Sequence, residues 1–522
     1  MLATVGHIGR LTRAAFVLAR EGVFSGIDPQ NVPVAGRPPL ALARMMARPR
    51  AATKGSRLGI AMGRLGPSYI KLGQFLATRP DLVGAAAVRD LEGLQDRVTP
   101  FPRATAVAII EAAFDRPLDK TFSEFGEPVA AASVAQVHRA RLTPERGGGE
   151  VAVKVMRPGV ERSFRRDLGD LYFAARTAER FVPEARRLKL VEVIDALARS
   201  VTMEMDFRIE AAAASEFAEN VRDDPDFHIP GIDWTLTAKD VLTLEWVNGT
   251  SLTDVPALRE RGYDLPVLGR TVIQSFLRHA MRDGLFHADM HQGNLFVDIE
   301  GRLTAVDFGI MGRLGRRERR FLAEILYGFI TRDYMRVAEV HFQAGYVSGQ
   351  HRVEDFAQAI RAIGEPIHAR RADEISMAKL LTLLFEITAL FDMKTRVELV
   401  MLQKTMVVVE GVARTLDPRL DMWETAEPVV RTWIEDNLGP AGKVGDAAFM
   451  ISALAKGALG LPDLLLRAEK IVLGFEQAVE DGGPLSRAAL EKATTRESTR
   501  MAWLGTALWI IAVCLLWKVI VG

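Results

Sequence analysis

The sequence predicts an α+β fold of two lobes, with strands gathered in the first part of the chain, helices in the second and a polar cluster at their junction. Strand-like runs bounded by turn residues fall between residues 119 and 306. Beyond Gly315, apolar residues recur at spacings of three and four for roughly 160 residues, the period of helices that bury one face. The third observation is the stretch Phe286-His287-Ala288-Asp289-Met290-His291-Gln292-Gly293-Asn294, followed by Val306-Asp307-Phe308-Gly309. Where phosphoryl groups are transferred, an Asp orients the attacking hydroxyl, an Asn five residues on holds one metal, and the Asp of an Asp-Phe-Gly triplet holds another bridging the phosphates. Asp289, Asn294 and Asp307 fit those roles. Leu295 to Asp298 and Leu303 to Val306 read as strands joined by Glu300-Gly301, a hairpin that returns Asn294 to Asp307. Oxygen ligands favour Mg²⁺. His287 and His291 stand at a zinc-pair spacing, but Gly293 and the following strand argue for a loop and the Glu of HExxH is missing, so zinc ranks below. The pattern is that of a protein-kinase-like fold that binds ATP or ADP, with an enlarged helical C-lobe.

Residues 1–55 are expected as an N-terminal helix and linker. Met1 to Arg20 carries Arg10, Arg13 and Arg20 with no acid, which suits a helix lying on a membrane or on the domain ahead of a mitochondrial transit peptide. From Gly26 to Lys54 Pro, Gly, Ala and Arg dominate without sustained periodicity, as in an irregular linker. Residues 56–118 form a helical extension in which Gly66-Pro67 opens a helix with Lys71, Gln74 and Thr78 on one face.

The N-lobe, with inserted helices, is expected over 119–247. Pro128 to Leu142, with alternating Val134, Gln136, Val137 and Ala140, turns at Gly147-Gly148-Gly149 and returns as the strand Glu150 to Met156. Within Val151-Ala152-Val153-Lys154, Lys154 occupies the strand position from which a lysine reaches the α- and β-phosphates and pairs with a helical Glu. The helical run from Leu188 to Ala218 offers Glu204 as that partner, with Asp206 beside it. Leu242 to Gly249 reads as a strand and turn between the lobes, where the backbone at Glu245 and Val247 could hold an adenine.

The C-lobe spans 248–480, its helices marked by Phe321 to Ile330, Leu380 to Phe391 and Val397 to Val408, with the Ala-, Leu- and Gly-rich Phe449 to Leu466 as further core. Residues 481–500 form a basic juxtamembrane linker carrying Arg487, Lys492, Arg496 and Arg500. Met501 to Val521 is apolar except for Thr506 and Lys518, long enough to span a hydrocarbon core of about 30 Å as one transmembrane helix. The preceding basic residues predict a catalytic portion in the cytosol, with Trp503 and Trp517 at the interfaces.

Composition narrows the classes. With 522 residues, 48% hydrophobic and 25% charged, the chain can bury a large core. A net charge of +1 and the lack of interleaved basic and aromatic residues argue against nucleic acid as a partner. The single Cys514 excludes an intrachain disulfide.

Together the motifs resemble the UbiB (aarF-domain) atypical kinases, a family linked to ubiquinone biosynthesis in bacteria and mitochondria. Lys71-Leu72-Gly73-Gln74 is similar to the family's KxGQ motif, with Arg79-Pro80-Asp81-Leu82 and Leu94-Gln95-Asp96 like its surroundings. Ala130-Ala131-Ala132-Ser133-Val134-Ala135-Gln136-Val137 resembles its Ala-rich nucleotide loop, Glu204-Met205-Asp206 its ExD motif, and Phe286 to Asn294 its catalytic loop. Gly411 with Leu416-Asp417-Pro418 also fits. The resemblance implies a KxGQ helix folded across the cleft, with Lys71 on the Glu204 and Asp206 acids and with Lys71, Gln74 and Asp206 as the regulatory set. An alanine loop cannot approach phosphates as closely or reach positive φ as cheaply as glycine, so the phosphates are expected to be held differently from those in a standard kinase. No Ala-Pro-Glu triplet follows Asp307, Ala213 stands where the family usually has Asn, and Met290 and Gln292 replace prolines.

The implied activity is that of an ATPase anchored in a bacterial inner membrane, with the mitochondrial inner membrane second. It would support ubiquinone biosynthesis. Its implied partners are polyprenylated quinone precursors, ubiquinone-biosynthesis proteins, membrane lipid and a second copy of the chain. A phosphotransferase on a protein or small molecule and a nucleotide-binding pseudokinase scaffold are the alternatives.

Overall fold

The computed structural model describes residues 2–26, 37–48, 56–77, 99–181, 189–368 and 397–438, with isolated positions between them. The chain divides into two compact units, residues 1–26 with 46–436 and residues 27–45 with 437–522. The described part of the second is chiefly a helix, α2 (Arg37–Met45), inside the stretch expected as an irregular linker. Pro38 and Pro39 sit in its first turn, where a missing N–H costs no intrahelical bond.

The larger unit begins with the N-terminal helix α1 (Leu2–Arg20), and the helical extension supplies α3 (Arg57–Leu65), α4 (Pro67–Ala77) and α5 (Arg103–Phe114). Ser56 caps α3 by accepting the Gly59 N–H, Gly66 turns the chain at φ 106°, and Pro67 opens α4 as expected. One face of α1 lies on the domain, where the buried Asp170 accepts from Arg10 Nε at 2.6 Å and pairs with His7 at 2.5 Å.

The small lobe is a sheet of β1 (Phe122–Ala131), β2 (Ala135–Leu142), β3 (Glu150–Met156) and β5 (Val241–Glu245), antiparallel throughout in the order β1-β2-β3-β5. The run expected from Pro128 to Leu142 is therefore two strands. The Ala132 N–H donates to the Ala135 carbonyl and closes a turn between them, so the alternation belongs to β2 alone. Between β3 and β5 come α6 (Val160–Phe181), α7 (Leu190–Glu204) and α8 (Phe207–Asn220). The sequence suggests one helical run to Ala218, but Asp206 accepts the Arg208 N–H and starts a new helix there.

Helix α8 belongs to two cores. Phe207 and Ala211 at its start pack with Leu72 of α4, Val134 and Leu242, whereas Ala214 and Phe217 near its end pack with Phe227, Phe276 and Leu303. The lobe boundary placed at residue 247 is thus crossed earlier, and β4 (Phe227–His228) already pairs in parallel with β9 (Leu303–Ala305) of the large lobe. That sheet runs β4-β9-β8-β6, with β6 (Gly249–Ser251) and β8 (Leu295–Asp298), and a second pairs β10 (Met311–Arg313) with β7 (Leu285–His287). The predicted hairpin forms as β8 and β9, with Gly301 at φ 84° in its turn.

Around the sheets stand α9 (Val255–Glu260), α10 (Leu265–Arg278), α11 (Arg316–Ile330), α12 (Tyr334–Gln343), α13 (Val353–His368), α14 (Val397–Leu416) and α15 (Met422–Leu438). α10 and α14 approach closely, since a Cβ on Gly269 would lie 3.1 Å from the Ala413 carbonyl oxygen. Of the expected helix Leu380 to Phe391 only three positions are described. Thr78, Phe449 to Leu466, the basic linker and Met501 to Val521 lie outside the described residues. Among the described residues no helix is long and apolar enough to cross a membrane.

The turn after α8 is fastened to the large lobe by Asp224. Its carboxylate accepts from Arg282 Nη1 at 2.6 Å and meets His279 Nε2 at 3.0 Å, both in the π-helical turn His279–Asp283 that leads into β7. Burial alone would raise the Asp224 pKa, but the His279 and Arg282 bonds outweigh it and hold the carboxyl below its ordinary value. A carboxylate depressed in the folded state stabilises above the unfolded carboxyl pKa and loses that contribution as pH falls. Asp224→Asn is expected to cost about 3–5 kcal/mol at neutral pH, as for removal of one member of a buried pair. Its denaturation midpoint should also fall less steeply than wild type below about pH 4; parallel acid-side profiles would contradict this account.

Candidate functional site

Lys154 projects from β3 into the space between the lobes. Its Nζ lies 2.8 and 3.0 Å from the two carboxylate oxygens of Glu210 and 2.8 Å from Asp307 Oδ1. The expected partner, Glu204, is elsewhere: it ends α7 and pairs with Lys71 Nζ at 2.6 Å. The error has a physical origin, because the Asp206 cap starts a second helix, and side-chain directions counted along one continuous helix no longer apply beyond it. The signal was an Asp followed four residues later by a Glu, a helix start with an acid in its first turn. Asp206 itself bonds Arg208 through Nε at 2.9 Å and Nη2 at 2.6 Å. Gln74 lies one turn beyond Lys71 on α4, and its Oε1 is buried without a donor among the described residues.

One cation between two carboxylates sets the electrostatics. Burial disfavours the Lys154 ammonium, but Asp307 and Glu210 together outweigh it and raise its pKa. The Lys154 charge holds the Asp307 carboxyl well below its ordinary range, with help from Lys71. Glu210 is pushed up by burial. Asp307 adopts φ 65°, a left-handed conformation that a non-glycine residue keeps only where its surroundings impose it.

The catalytic-loop expectation assembles around His287. The Asp289 N–H donates to His287 Nδ1 at 3.1 Å, so the ring proton sits on Nε2, which donates to the Val306 carbonyl at 3.1 Å. Burial lowers the His287 pKa, in keeping with a neutral ring. With both nitrogens engaged it is a structural histidine that joins the backbone of Asp289 to the residue before Asp307. Asn294 Nδ2 donates to the Asp289 carbonyl at 3.1 Å, and the Val306 N–H donates to the Asn294 carbonyl at 2.9 Å. Among the described residues no group of three His, Cys, Asp or Glu is arranged to hold a metal. The oxygen-bearing side chains available are Asn294 and Asp307, hard donors that suit Mg²⁺.

The segment Ala130 to Val137 is held from behind. Arg157 donates from Nη2 to the Ala132 carbonyl at 3.2 Å and from its N–H to the Val134 carbonyl at 2.8 Å. Ala130, Ala131, Ala135 and Val137 lie in strands, and Ser133 is fully buried in the turn. Gln136, expected at the nucleotide, uses its buried amide to clamp the Phe101 backbone, receiving the N–H at 2.9 Å and donating to the carbonyl at 3.2 Å. At the strand end, the Glu245 carboxylate accepts the Gly231 N–H, whereas the Val247 N–H and carbonyl have no partner among the described residues. An open backbone donor and acceptor beside the cleft suit a planar heterocycle.

The geometry predicts a contrast between the two glutamates. Glu210→Gln should weaken Mg·ATP binding about tenfold or more by releasing Lys154, whereas Glu204→Gln should leave it within about threefold. Titration calorimetry on the full-length variants checks this, and equal losses would contradict it.

Residues 93–341 match the ABC1 atypical kinase-like domain and residues 360–421 the UbiB helical domain. A "Probable protein kinase UbiB" of Marinobacter nauticus is 40% identical over 449 residues, 84% of this chain and 81% of that protein. The protein of the same description from Azotobacter vinelandii is 40% identical over 402 residues, 76% of this chain and 74% of that protein. Among solved structures, the Rv3197–erythromycin complex from Mycobacterium tuberculosis superposes with a TM-score of 0.51 at 23% identity, covering 73% of this chain and 94% of that one, a likeness of fold. Given the extent and identity of these matches, the chain belongs to the ABC1/UbiB family of atypical kinase-like proteins.

Proposed function

We propose that this chain binds ATP with Mg²⁺ in the cleft between its lobes and turns the nucleotide over in support of ubiquinone biosynthesis, anchored to a membrane by residues 501–521. The observation that carries the nucleotide reading is Lys154 held within 2.8 Å of both Glu210 and Asp307. That arrangement aims one ammonium at the place where α- and β-phosphates lie in kinase-like sites. Asn294 and Asp307 would hold the metal, which supplies neutralisation of charge on the phosphate oxygens when bound. Val247 offers its backbone to the adenine, and Asp289 orients the attacking hydroxyl or water.

The ion pair of Lys71 with Glu204 at 2.6 Å draws α4 toward this cleft, and Leu72 packs with Val134 of the alanine-rich turn. A helix tied down there leaves little room for an extended peptide, which favours water or a small acceptor over a protein substrate. The turn itself is braced by Arg157 and has no glycine to wrap the phosphates. The link to quinone synthesis comes from family membership, with polyprenylated quinone precursors and the enzymes that process them as partners at the bilayer.

Asp307→Asn is expected to abolish Mg²⁺-dependent nucleotide binding and quinone production in cells together. Normal quinone levels in that variant would favour a nucleotide-binding scaffold. Stoichiometric transfer of radiolabelled phosphate from ATP to a defined acceptor would replace the ATPase reading with a phosphotransferase.

A further inference from the structure

We infer that Thr405, on α14, is a positioning residue that fixes the peptide plane carrying Asp289 and so ties the geometry of the catalytic loop to the helical domain. The inference rests on the nucleotide-turnover reading for its kinetic consequence, and on the fold alone for its structural one.

The Ala288 carbonyl and the Asp289 N–H are two ends of one planar peptide unit. At one end the N–H donates to His287 Nδ1 at 3.1 Å. At the other, the Ala288 oxygen accepts from Thr405 Oγ1 at 2.9 Å, and among the described residues it has no other donor. Both groups are enclosed, Thr405 being 1% exposed and Ala288 5%, so water cannot replace the bond. A plane held at both ends leaves the Asp289 side chain its own torsions and little else.

Thr405 carries a single hydroxyl proton, and a second acceptor, the Met401 carbonyl, lies 2.8 Å away. That carbonyl lies one turn back in the same helix, where the Thr405 amide already supplies the ladder bond. The Ala288 carbonyl has no such alternative, and it gains most from the proton.

The same helix meets the loop again on the far side of Asp289. Gln292 Nε2 donates to Thr415 Oγ1 at 2.8 Å, while the Thr415 hydroxyl donates to the Gly411 carbonyl at 2.9 Å. Two contacts ten residues apart on one rigid helix, about 15 Å along its axis, bracket Asp289. α14 lies within the stretch that matches the UbiB helical domain and is packed directly on α10. A displacement of α14, by anything that binds the helical domain, therefore tilts the Asp289 plane without touching the nucleotide.

The test uses the full-length protein with Thr405→Val, which keeps the shape and loses the hydroxyl, and Thr405→Ser, which keeps the hydroxyl. In Thr405→Val, kcat for Mg·ATP turnover is expected to fall about ten- to a hundredfold with KM within about twofold, the signature of misplacement rather than lost binding. Amide hydrogen exchange in residues 288–294 should rise while that of the small lobe stays constant. Thr405→Ser should restore both. Wild-type kcat and exchange in Thr405→Val, equal losses in both variants, or faster exchange throughout the protein would each overturn the assignment. A wild-type protein that turns over no ATP would instead overturn the nucleotide-turnover reading, and the exchange comparison would still decide the role of Thr405.

Discussion

The contact of one ammonium with two carboxylates, Lys154 with Glu210 and Asp307, is the constraint around which the rest of the molecule is arranged. Each of its members comes from a different element: a strand of the small-lobe sheet, a helix inserted between β3 and β5, and the segment between β9 and β10. Lys154 and Glu210 are buried while Asp307 keeps part of its side chain open, and the two carboxylates together outweigh the burial that disfavours the Lys154 ammonium. Holding the three together requires that both lobes and the helix between them occupy fixed places. The left-handed backbone of Asp307 is part of that requirement.

Helix α8 meets the requirement by belonging to two cores. Its first turns, which carry Glu210, pack against α4 and β5, and its last turn packs against the large-lobe sheet. Asp224 then fastens the following turn to Arg282 and His279, immediately ahead of the strand that leads into Asp289. A helix buried at both ends does not swing as an isolated surface helix could. The neutral His287 completes the connection, since its two ring nitrogens join the Asp289 amide to the Val306 carbonyl and fix the separation of the two aspartate-bearing segments. The alanine-rich turn is equally constrained, with Gln136 and Arg157 committing polar groups to the protein's own backbone. A cleft built this way is organised before any ligand enters it.

Much of the site was legible because its spacing is short. Asp289 and Asn294 are five residues apart in a loop, and the β8–β9 hairpin that returns the chain to Asp307 is dictated by turn residues between two apolar runs. Lys154 was legible for the same reason, as a lysine within an apolar strand. Gln136 was misread because a polar residue on a strand next to a turn carries no mark of which way its amide will bond. The helix at Arg37–Met45 was missed because two prolines look like a break and are in fact tolerated in a first turn.

By itself, then, the amino-acid sequence determined the chemistry on offer, the class of fold and the family to which the chain belongs. Those depend on residue identity and on separations of a few positions, which backbone geometry converts directly into proximity. The tertiary structure decided which acid serves which lysine. Glu204 and Glu210 are six residues apart and equally plausible on a ribbon, but a capped break at Asp206 and the packing of Phe207 and Ala211 send one to Lys71 and the other to Lys154. It also decided that Thr405 meets Ala288 across 117 residues. Contacts of that kind follow from how helices pack on one another, which local spacing does not encode.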